Sequence, residues 1–263
     1  MGKYLAVFKT NMQAALTYRG EMTLWIITSF LWVAVLPFVW LTVYGSQESI
    51  AGFNKSMMVT YFMLIPVIEA LTSSWIDFTI RDEIKEGKIN AFLTKPMNYL
   101  YKGFWGENGW KASRPFVSVL ILLALYPFIH NYFYLTFHIR LIWLIPVLVV
   151  SRILNFIISS IIGMVAFWTT RNNWATQIWW AIQTVAAGYL APLAFFPSHI
   201  QKIISFTPFP ITLQIPINII LNTVSTDQIV WELGKGVIWI LVLGLLLIAL
   251  WKKGIKKTEG IGM

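Results

Sequence analysis

The hydrophobic pattern of the chain consists of six apolar stretches separated by polar or proline-rich connections. None shows the strict in–out alternation of a membrane β-strand. About 20 helical residues cross a hydrocarbon layer of ~30 Å, so each stretch is read as a helical span. We predict six transmembrane helices: Met22–Tyr44, Met57–Ile76, Pro115–Ile129, Leu141–Trp168, Thr176–Ala191 and Lys235–Trp251. The third and fifth are short and rich in aromatic residues.

The first 21 residues form a separate amphipathic segment. Its apolar residues share one helical face: Leu5, Phe8, Met12, Ala15 and Leu16. Lys9 and Arg19 fall away from the centre of that face, a pattern typical of a helix that lies in the membrane interface. We predict an interfacial helix over residues 1–21; the alternative is a cytosolic extension of the first span. A cleavable signal peptide is not expected, because the first apolar run begins at Met22 and is of spanning length.

The basic residues are distributed unevenly between the two sides of this topology. With the N-terminus inside, fifteen lie in cytoplasmic segments: Lys3, Lys9, Arg19, Arg81, Lys85, Lys88, Lys95, Lys102, Lys111, Arg114, Arg171, Lys252, Lys253, Lys256 and Lys257. Four lie outside: Lys55, Arg140, Lys202 and Lys235. Cytoplasmic loops carry the excess of Lys and Arg, so we predict that both termini are cytoplasmic.

Composition excludes an ordinary soluble domain. Of 263 residues, 57% are apolar and 12% are charged, which is about half the charged fraction of a typical soluble domain. In a membrane protein the net charge of +9 belongs to segments beside the bilayer, and we expect no nucleic-acid partner. We therefore predict an all-α membrane protein in which residues 1–263 form a single transmembrane domain.

The chain carries no motif for nucleotide binding or catalysis. It contains neither G-x-x-x-x-G-K-[ST] nor G-x-G-x-x-G, the usual phosphate-binding loops. Its three histidines, His130, His138 and His199, match no metal-binding spacing, and it has no cysteine. We expect no metal, no cofactor and no enzymatic activity in this chain; if ATP is used, another polypeptide binds it.

The connection Asp77–Arg114, residues 77–114, is the longest polar stretch. Charges of both signs crowd Arg81–Lys88, which suggests that the second span continues into water as a helix. Gly87 is a natural stop for that helix, because glycine adopts the left-handed conformation without penalty. Three apolar residues then share one side of a short helix: Ile89, Phe92 and Leu93. Two interpretations stay open: an apolar projection that docks on a cytosolic partner, or a solvated loop whose charges hold the topology.

The segment Pro192–Leu221, residues 192–221, is apolar yet rich in proline. Five of the eleven prolines lie here: Pro192, Pro197, Pro208, Pro210 and Pro216. Proline ends helices and restricts the preceding residue, so no continuous span fits. We predict short re-entrant or interfacial helices on the external face, because protein must cover irregular backbone at membrane depth. The alternative is an ordinary extracellular loop packed on neighbouring helices.

Two ionisable residues, Glu69 and Arg152, lie inside predicted spans. Counted from the external ends of their helices, Glu69 is roughly 18 Å deep and Arg152 roughly 16–17 Å deep. Charges inside the bilayer are costly and usually pair with one another. We predict an intramembrane ion pair between them, with Asn155 as an additional hydrogen-bond partner. The pair is either a structural link in the bundle or part of a substrate site.

Two segments make the chain resemble the ABC-2 type permeases, the membrane subunits of one class of ATP-binding-cassette exporter. Glu83-Ile84-Lys85-Glu86-Gly87-Lys88 through Leu93-Thr94-Lys95-Pro96 is similar to the "E-I-x-x-G-x … L-x-x-P" stretch of the family's first cytoplasmic loop. Ala191-Pro192-Leu193-Ala194-Phe195-Phe196-Pro197, followed by Thr207-Pro208-Phe209 and Pro216, is similar to the segment between the family's last two spans.

The resemblance implies a coupling helix over Glu83–Leu93 that contacts the ATPase, formed by Glu83, Ile84, Lys85, Glu86, Gly87, Lys88, Ile89, Phe92 and Leu93. It implies an external cap that includes Pro192, Phe195, Phe196, Pro197, Pro208 and Phe209. The implied partners are cytosolic ABC ATPase subunits, which hold ATP and Mg, and a second permease chain in a homo- or heterodimer. The implied function is export, across the cell (plasma) membrane, of a substrate that the apolar and aromatic side chains suggest is amphipathic or hydrophobic.

Two other functions remain alternatives. A secondary transporter or channel would work without an ATPase, but it predicts internal repeats, and residues 1–130 show no convincing repeat in 131–263. An integral-membrane enzyme would need His, Asp or Glu clustered at one interface, whereas the largest group of acidic residues, four of the eleven, lies in Asp77–Glu86.

Overall fold

The computed structural model describes residues 2–169 and 173–259, so Arg171, counted above with the cytoplasmic residues, lies outside the described residues. The described part is helical apart from one hairpin, β1 (Ser49–Ile50) with β2 (Phe53–Asn54). Its helices are α1 (Gly2–Thr17), α2 (Arg19–Tyr44), α3 (Lys55–Thr72), α4 (Ile76–Lys85), α5 (Lys88–Leu93), α6 (Tyr99–Lys111), α7 (Arg114–Ile129), α8 (Leu144–Met164), α9 (Asn173–Ala186), α10 (Ser198–Ser205), α11 (Phe209–Thr212), α12 (Gln214–Ile220) and α13 (Thr226–Glu259).

Short 3₁₀ turns extend several of these helices. They lie at His130–Tyr132, Ile139–Trp143, Val165–Phe167 and Leu193–Phe195. With them, five helical stretches of the described residues are long and apolar enough to cross a membrane: Thr23–Tyr44, Lys55–Thr72, Tyr99–Tyr132, Ile139–Phe167 and Thr226–Lys257. They correspond to the predicted first, second, third, fourth and sixth spans.

The predicted fifth span, Thr176–Ala191, differs from the others. Its helix α9 has 14 residues and ends at Ala186. The chain then turns at Gly188, whose φ of +93° is in the left-handed region. The Tyr61 hydroxyl donates a hydrogen bond of 2.8 Å to the Gly188 carbonyl, and a Cβ at Gly188 would lie 2.4 Å from that hydroxyl. The end of α9 is therefore set by its contact with α3, and the helix is shorter than the apolar run predicts.

The N-terminal helix α1 packs along α6. The Tyr4 ring lies 5.9 Å from the Tyr101 ring, and the Phe8 ring lies 6.3 Å from the Trp105 ring. Gly109 permits this close approach, because a Cβ there would lie 2.2 Å from the Phe8 carbonyl oxygen. The predicted amphipathic helix is thus present. Its apolar face is divided, since Ala15 is buried whereas Leu5 and Leu16 are exposed.

Helix α3 lies at the centre of the bundle and contacts α2, α7, α8 and α12. Its fully buried side chains Tyr61, Phe62 and Ile65 form the core together with Leu213 and Ile217 of the proline-rich segment. A second core joins α4, α5, α8 and α13 at the other end of the bundle. These two cores hold the predicted coupling helix and the proline-rich segment at opposite ends of the same helices.

The proline-rich segment returns to the end of the bundle from which it starts. Near its beginning, the Phe195 ring lies 5.9 Å from the Phe53 ring of the hairpin that precedes α3. After its end, Arg140, beside the start of α8, donates a 2.7 Å hydrogen bond to the Val224 carbonyl. Prolines at its helix ends and a non-helical Leu213 (φ −142°, ψ −55°) divide it into α10, α11 and α12.

The tip of this segment, Phe209–Leu213, lies deep among the long helices. Ser151 on α8 donates a 2.5 Å hydrogen bond to the Ile211 carbonyl, and Thr72 at the end of α3 donates one of 3.3 Å to the Thr212 carbonyl. Ser151 is twelve residues from the start of its helical stretch at Ile139, which is ~18 Å along a helix axis. The tip therefore packs against the middle of α8 and the end of α3.

Candidate functional site

The second predicted span is broken at Ser73–Trp75. Helix α3 ends at Thr72 because Ser73 takes an extended conformation (ψ 156°), and α4 begins only at Ile76. In a continuous helix the Ser73 carbonyl would accept from Asp77 and the Trp75 amide would donate to Leu71. The break removes both bonds, so these backbone groups need partners elsewhere.

Charged side chains of α6 and α8 provide those partners. The Ser73 carbonyl accepts from Lys111 Nζ at 2.7 Å and from Arg152 Nη1 at 2.5 Å. The Trp75 amide donates to Glu107 Oε1 at 2.6 Å, and the Ser74 hydroxyl donates to Glu107 Oε2 at 2.7 Å. The three charged side chains are therefore attached directly to the broken backbone.

The same three side chains pair with one another. Glu107 Oε1 lies 3.2 Å from Lys111 Nζ, and Glu107 Oε2 lies 2.9 Å from Arg152 Nη2. Arg152 Nε also donates a 2.9 Å hydrogen bond to Asn108 Oδ1. Each of the three charged side chains is at most 10% exposed. Burial at this level is tolerated because each charge has both an opposite charge and hydrogen-bond partners. We name Glu107, Lys111 and Arg152 the charged triad.

The predicted Glu69–Arg152 ion pair is wrong in its acidic partner. Arg152 is buried and paired, as expected, but it pairs with Glu107. In the described residues the Glu69 side chain has no hydrogen bond or ion pair; instead it lines two cavities, one of about 180 Å³ and one of about 580 Å³. The predicted additional partner Asn155 hydrogen-bonds Gln183 on α9 at 3.4 Å.

Sequence reasoning missed Glu107 and Lys111 as a buried pair because both fall in the polar connection, where Lys111 is predicted to be cytoplasmic and no pattern singles out Glu107. Their four-residue spacing was the available signal, since it places both on one helical face.

Helix α4 crosses α8 very closely below the break. A Cβ at Gly163 would lie 2.9 Å from the Asp77 Cα. The Asp77 carboxylate accepts hydrogen bonds from Ser159 at 2.9 Å and from Thr176 at 3.0 Å, and the Asp77 amide donates to the Ser159 hydroxyl. Burial raises the pKa of Asp77, and these hydrogen bonds oppose the rise. One acidic side chain thus joins α4, α8 and α9.

The predicted coupling segment is two helices joined at Gly87. As expected, Gly87 ends the first of them with a left-handed φ of +69°. Glu83 holds α4 to α6, because its carboxylate accepts from Tyr99 at 2.6 Å and from Lys102 at 3.0 Å. Ile84 is partly buried in the same core.

The predicted apolar projection is wrong for two of its three residues. Ile89 and Phe92 are buried against α4, α6 and α8, and only Leu93 is exposed. A six-residue helix cannot be stable alone, so its apolar side is used to attach it. The outward surface is formed by Lys85, Glu86, Gly87, Lys88, Asn90, Ala91, Leu93, Thr94 and Lys95. Among these, Lys88 and Glu86 form an exposed salt bridge.

The residues singled out in the proline-rich segment are divided by burial. Pro192 and Pro208 are buried, Phe195, Phe196 and Phe209 are partly buried, and Pro197 is exposed. Trp40 on α2 packs its ring 4.9 Å from the Phe195 ring. The segment is therefore covered by protein on the side that faces the bundle.

These features define a multi-pass α-helical membrane protein with a broken, charge-paired second span. The chain matches the family model described as "ABC-2 family transporter protein" over residues 30–262. This match covers most of the chain, so the chain belongs to that family, and the suspected resemblance is confirmed. It is accordingly a membrane permease component of a transporter and not an enzyme. No curated protein and no solved structure matches it.

Proposed function

We propose that this chain is the membrane subunit of an ABC exporter that is driven by a separate ATPase. The observation that carries the proposal is α5 with its flanks, a short polar surface at one end of the bundle whose inner side is anchored by the buried Ile89 and Phe92. An exposed helix whose inner side is anchored in an apolar core can transmit a displacement from a docked partner to that core. A freely solvated loop cannot do so.

In this proposal the polypeptide crosses the membrane six times, with both termini in the cytoplasm and the cell membrane as its location. The crossing that is added to the five long helical stretches is α9, the predicted fifth span, whose 14 residues extend ~21 Å. Helix α9 begins near Asp77, because Thr176 on α9 donates a hydrogen bond to the Asp77 carboxylate. It ends just before Gly188, whose carbonyl accepts a hydrogen bond from Tyr61 on α3. It thus runs antiparallel to α3 between the two ends of that helix. Residues 192–221 then enter from the external face and return to it.

The proposed movement passes from α5 to α4 and then to the break at Ser73–Trp75. ATP-driven closure of two ATPase subunits would displace α5, and α4 would move with it because Ile89 and Phe92 of α5 share one apolar core with Ile80 of α4. The break lets α4 change its angle to α3 without stretching helical hydrogen bonds. A pathway for an amphipathic or hydrophobic substrate then opens outward between this chain and a second permease chain.

The test compares one substitution at the two ends of the bundle. Ala91→Arg adds a long cation to the exposed side of α5, and Ala51→Arg adds the same side chain to the exposed hairpin before α3. Tagged chains are purified from native-host membranes in mild detergent after gentle crosslinking, co-purifying proteins are identified by mass spectrometry, and ATP hydrolysis is assayed. We expect an ABC ATPase and its activity with the wild type and Ala51→Arg, and loss of both with Ala91→Arg.

Absence of any ATPase from the wild-type preparation contradicts the proposed function. Retention of the ATPase by folded Ala91→Arg contradicts only the assignment of α5 as its docking site.

A further inference from the structure

A cavity of about 580 Å³ lies between α2, α3, α4, α8 and α9. Its volume is within the range of sites that hold small organic molecules. Two residues of the break, Ser74 and Trp75, line it. Its shape must therefore change whenever α4 moves relative to α3, which is the behaviour required of a substrate site in a transporter.

The charges on the cavity wall are of one sign. Glu69 and Asp77 both line it, and none of its lining residues in the described part of the chain is Lys or Arg. The Glu69 side chain has no ion-pair or hydrogen-bond partner there, and the partners of the Asp77 carboxylate are the neutral hydroxyls of Ser159 and Thr176. Lys111 and Arg114, the second of which shares the smaller cavity with Glu69, attract its carboxylate electrostatically, but neither forms a direct ion pair with it among the described residues.

Aromatic rings form much of the remaining wall. Trp75 is at the centre of the group: its ring lies 5.4 Å from the Trp180 ring, 6.5 Å from the Trp25 ring and 6.2 Å from the Phe78 ring. Indole faces attract organic cations through the ring quadrupole. They also bury the apolar parts of such a ligand. Two carboxylates beside tryptophan faces, on a wall that no Lys or Arg of the described residues lines, are a combination that recognises a positive charge carried on an apolar body.

We propose that this cavity is the substrate site and that it binds a hydrophobic organic cation. The inference rests on the proposed transport function and adds the chemical class of the substrate. Glu69 supplies a carboxylate that has no direct ion pair in the described residues, Asp77 supplies the second carboxylate, and Trp75 and Trp180 supply the aromatic wall.

The test uses two probes of nearly equal shape and opposite charge, tetraphenylphosphonium and tetraphenylborate. Radiolabelled tetraphenylphosphonium is bound to the purified, immobilised chain in detergent and displaced with each unlabelled ion. We expect displacement by the cation and none by the anion at the same concentration. Glu69→Gln, which removes the charge and keeps the shape, weakens binding of the cation at least tenfold, whereas the same change at the exposed Glu48 has no effect.

Equal displacement by the two ions, or unchanged affinity in folded Glu69→Gln, overturns the inference. Asp77→Asn is a second variant and is expected to weaken binding likewise. Its hydrogen bonds also join three helices, so a thermal melt must show that it is folded before it is scored; otherwise Glu69→Gln alone decides. Binding to the purified chain needs no ATPase, so the two proposals are tested separately. If the wild-type chain co-purifies with an ATPase but does not prefer the cation, only the substrate assignment is contradicted. If it prefers the cation but co-purifies with no ATPase, only the exporter assignment is contradicted.

Discussion

The charged triad makes a quantitative prediction about Glu107. Its two oxygens accept from Trp75, Ser74, Lys111 and Arg152 at 2.6–3.2 Å. Glu107→Gln keeps the shape of the side chain but replaces one acceptor oxygen with an NH₂ donor. It also leaves two buried cations without their shared counter-charge.

The expected loss of stability is large. Removal of one partner from a buried ion pair costs about 3–5 kcal/mol. For a chain of this size each 1 kcal/mol lowers the melting temperature by about 2–4 °C, so the expected decrease is on the order of 10 °C. The matched control is Glu69→Gln, the same change at a carboxylate without an ion pair in the described residues, for which the expected cost is under about 1 kcal/mol.

Thermal unfolding of both variants in one detergent, followed by tryptophan fluorescence, measures the difference. A second variant tests whether charge is the cause. Adding Lys111→Met to Glu107→Gln removes one of the two stranded cations, so part of the lost stability should return. The reasoning is refuted if Glu107→Gln and Glu69→Gln have the same melting temperature, or if the double variant is less stable than Glu107→Gln alone.

Two glycine substitutions follow from close contacts, each with a matched glycine control. Gly109→Ala places a Cβ 2.2 Å from a backbone carbonyl of α1, whereas Gly106→Ala meets only side chains at 3.5 Å. Overpacking of about 1–3 kcal/mol should therefore destabilise only the Gly109→Ala variant. Thermal melting measures the loss of stability, and faster maleimide labelling of a single cysteine introduced at Val7 measures the loosening of α1. Gly163→Ala should destabilise the crossing of α4 and α8 and lower ATPase stimulation, whereas Gly244→Ala, with open space around it, should raise or preserve the melting temperature. Labelling or melting that does not separate the members of each pair contradicts these contacts.

Much of the architecture was predictable because it depends on hydropathy alone. The apolar runs located five helical stretches that are long and apolar enough to cross a membrane, and the proline spacing located a segment that is divided into short helices. Gly87 was predictable as a helix end because its conformation is a local property of glycine.

The details of the site were not predictable because they depend on tertiary contacts. Ser73-Ser74-Trp75 contains no strong helix breaker, and the break exists only because Glu107, Lys111 and Arg152 satisfy its backbone. Arg152 could be recognised as buried from its span, but its partner could not be chosen, since hydropathy treats every Glu in a polar stretch as solvated. Ile89 and Phe92 were correctly placed on one face of a helix. Which way that face points depends on a core formed with α8 and α13, which no local pattern contains.

In the proposed exporter, the tip at Phe209–Leu213 has a consequence for how tightly the resting chain is closed. The fully buried Ile211 and Leu213 exclude water, while two hydroxyl donors hold the carbonyls of Ile211 and Thr212. Hydrogen bonds of this kind contribute only about 0.5–1.5 kcal/mol each, and their donors reside on two different helices. In that exporter, apolar packing of the tip would prevent leakage, whereas the hydrogen bonds that hold the tip are weak and are shared between α3 and α8. A small separation of these two helices would be enough to break the hydrogen bonds and free the tip. A tight resting state and rapid opening are therefore compatible in the same molecule.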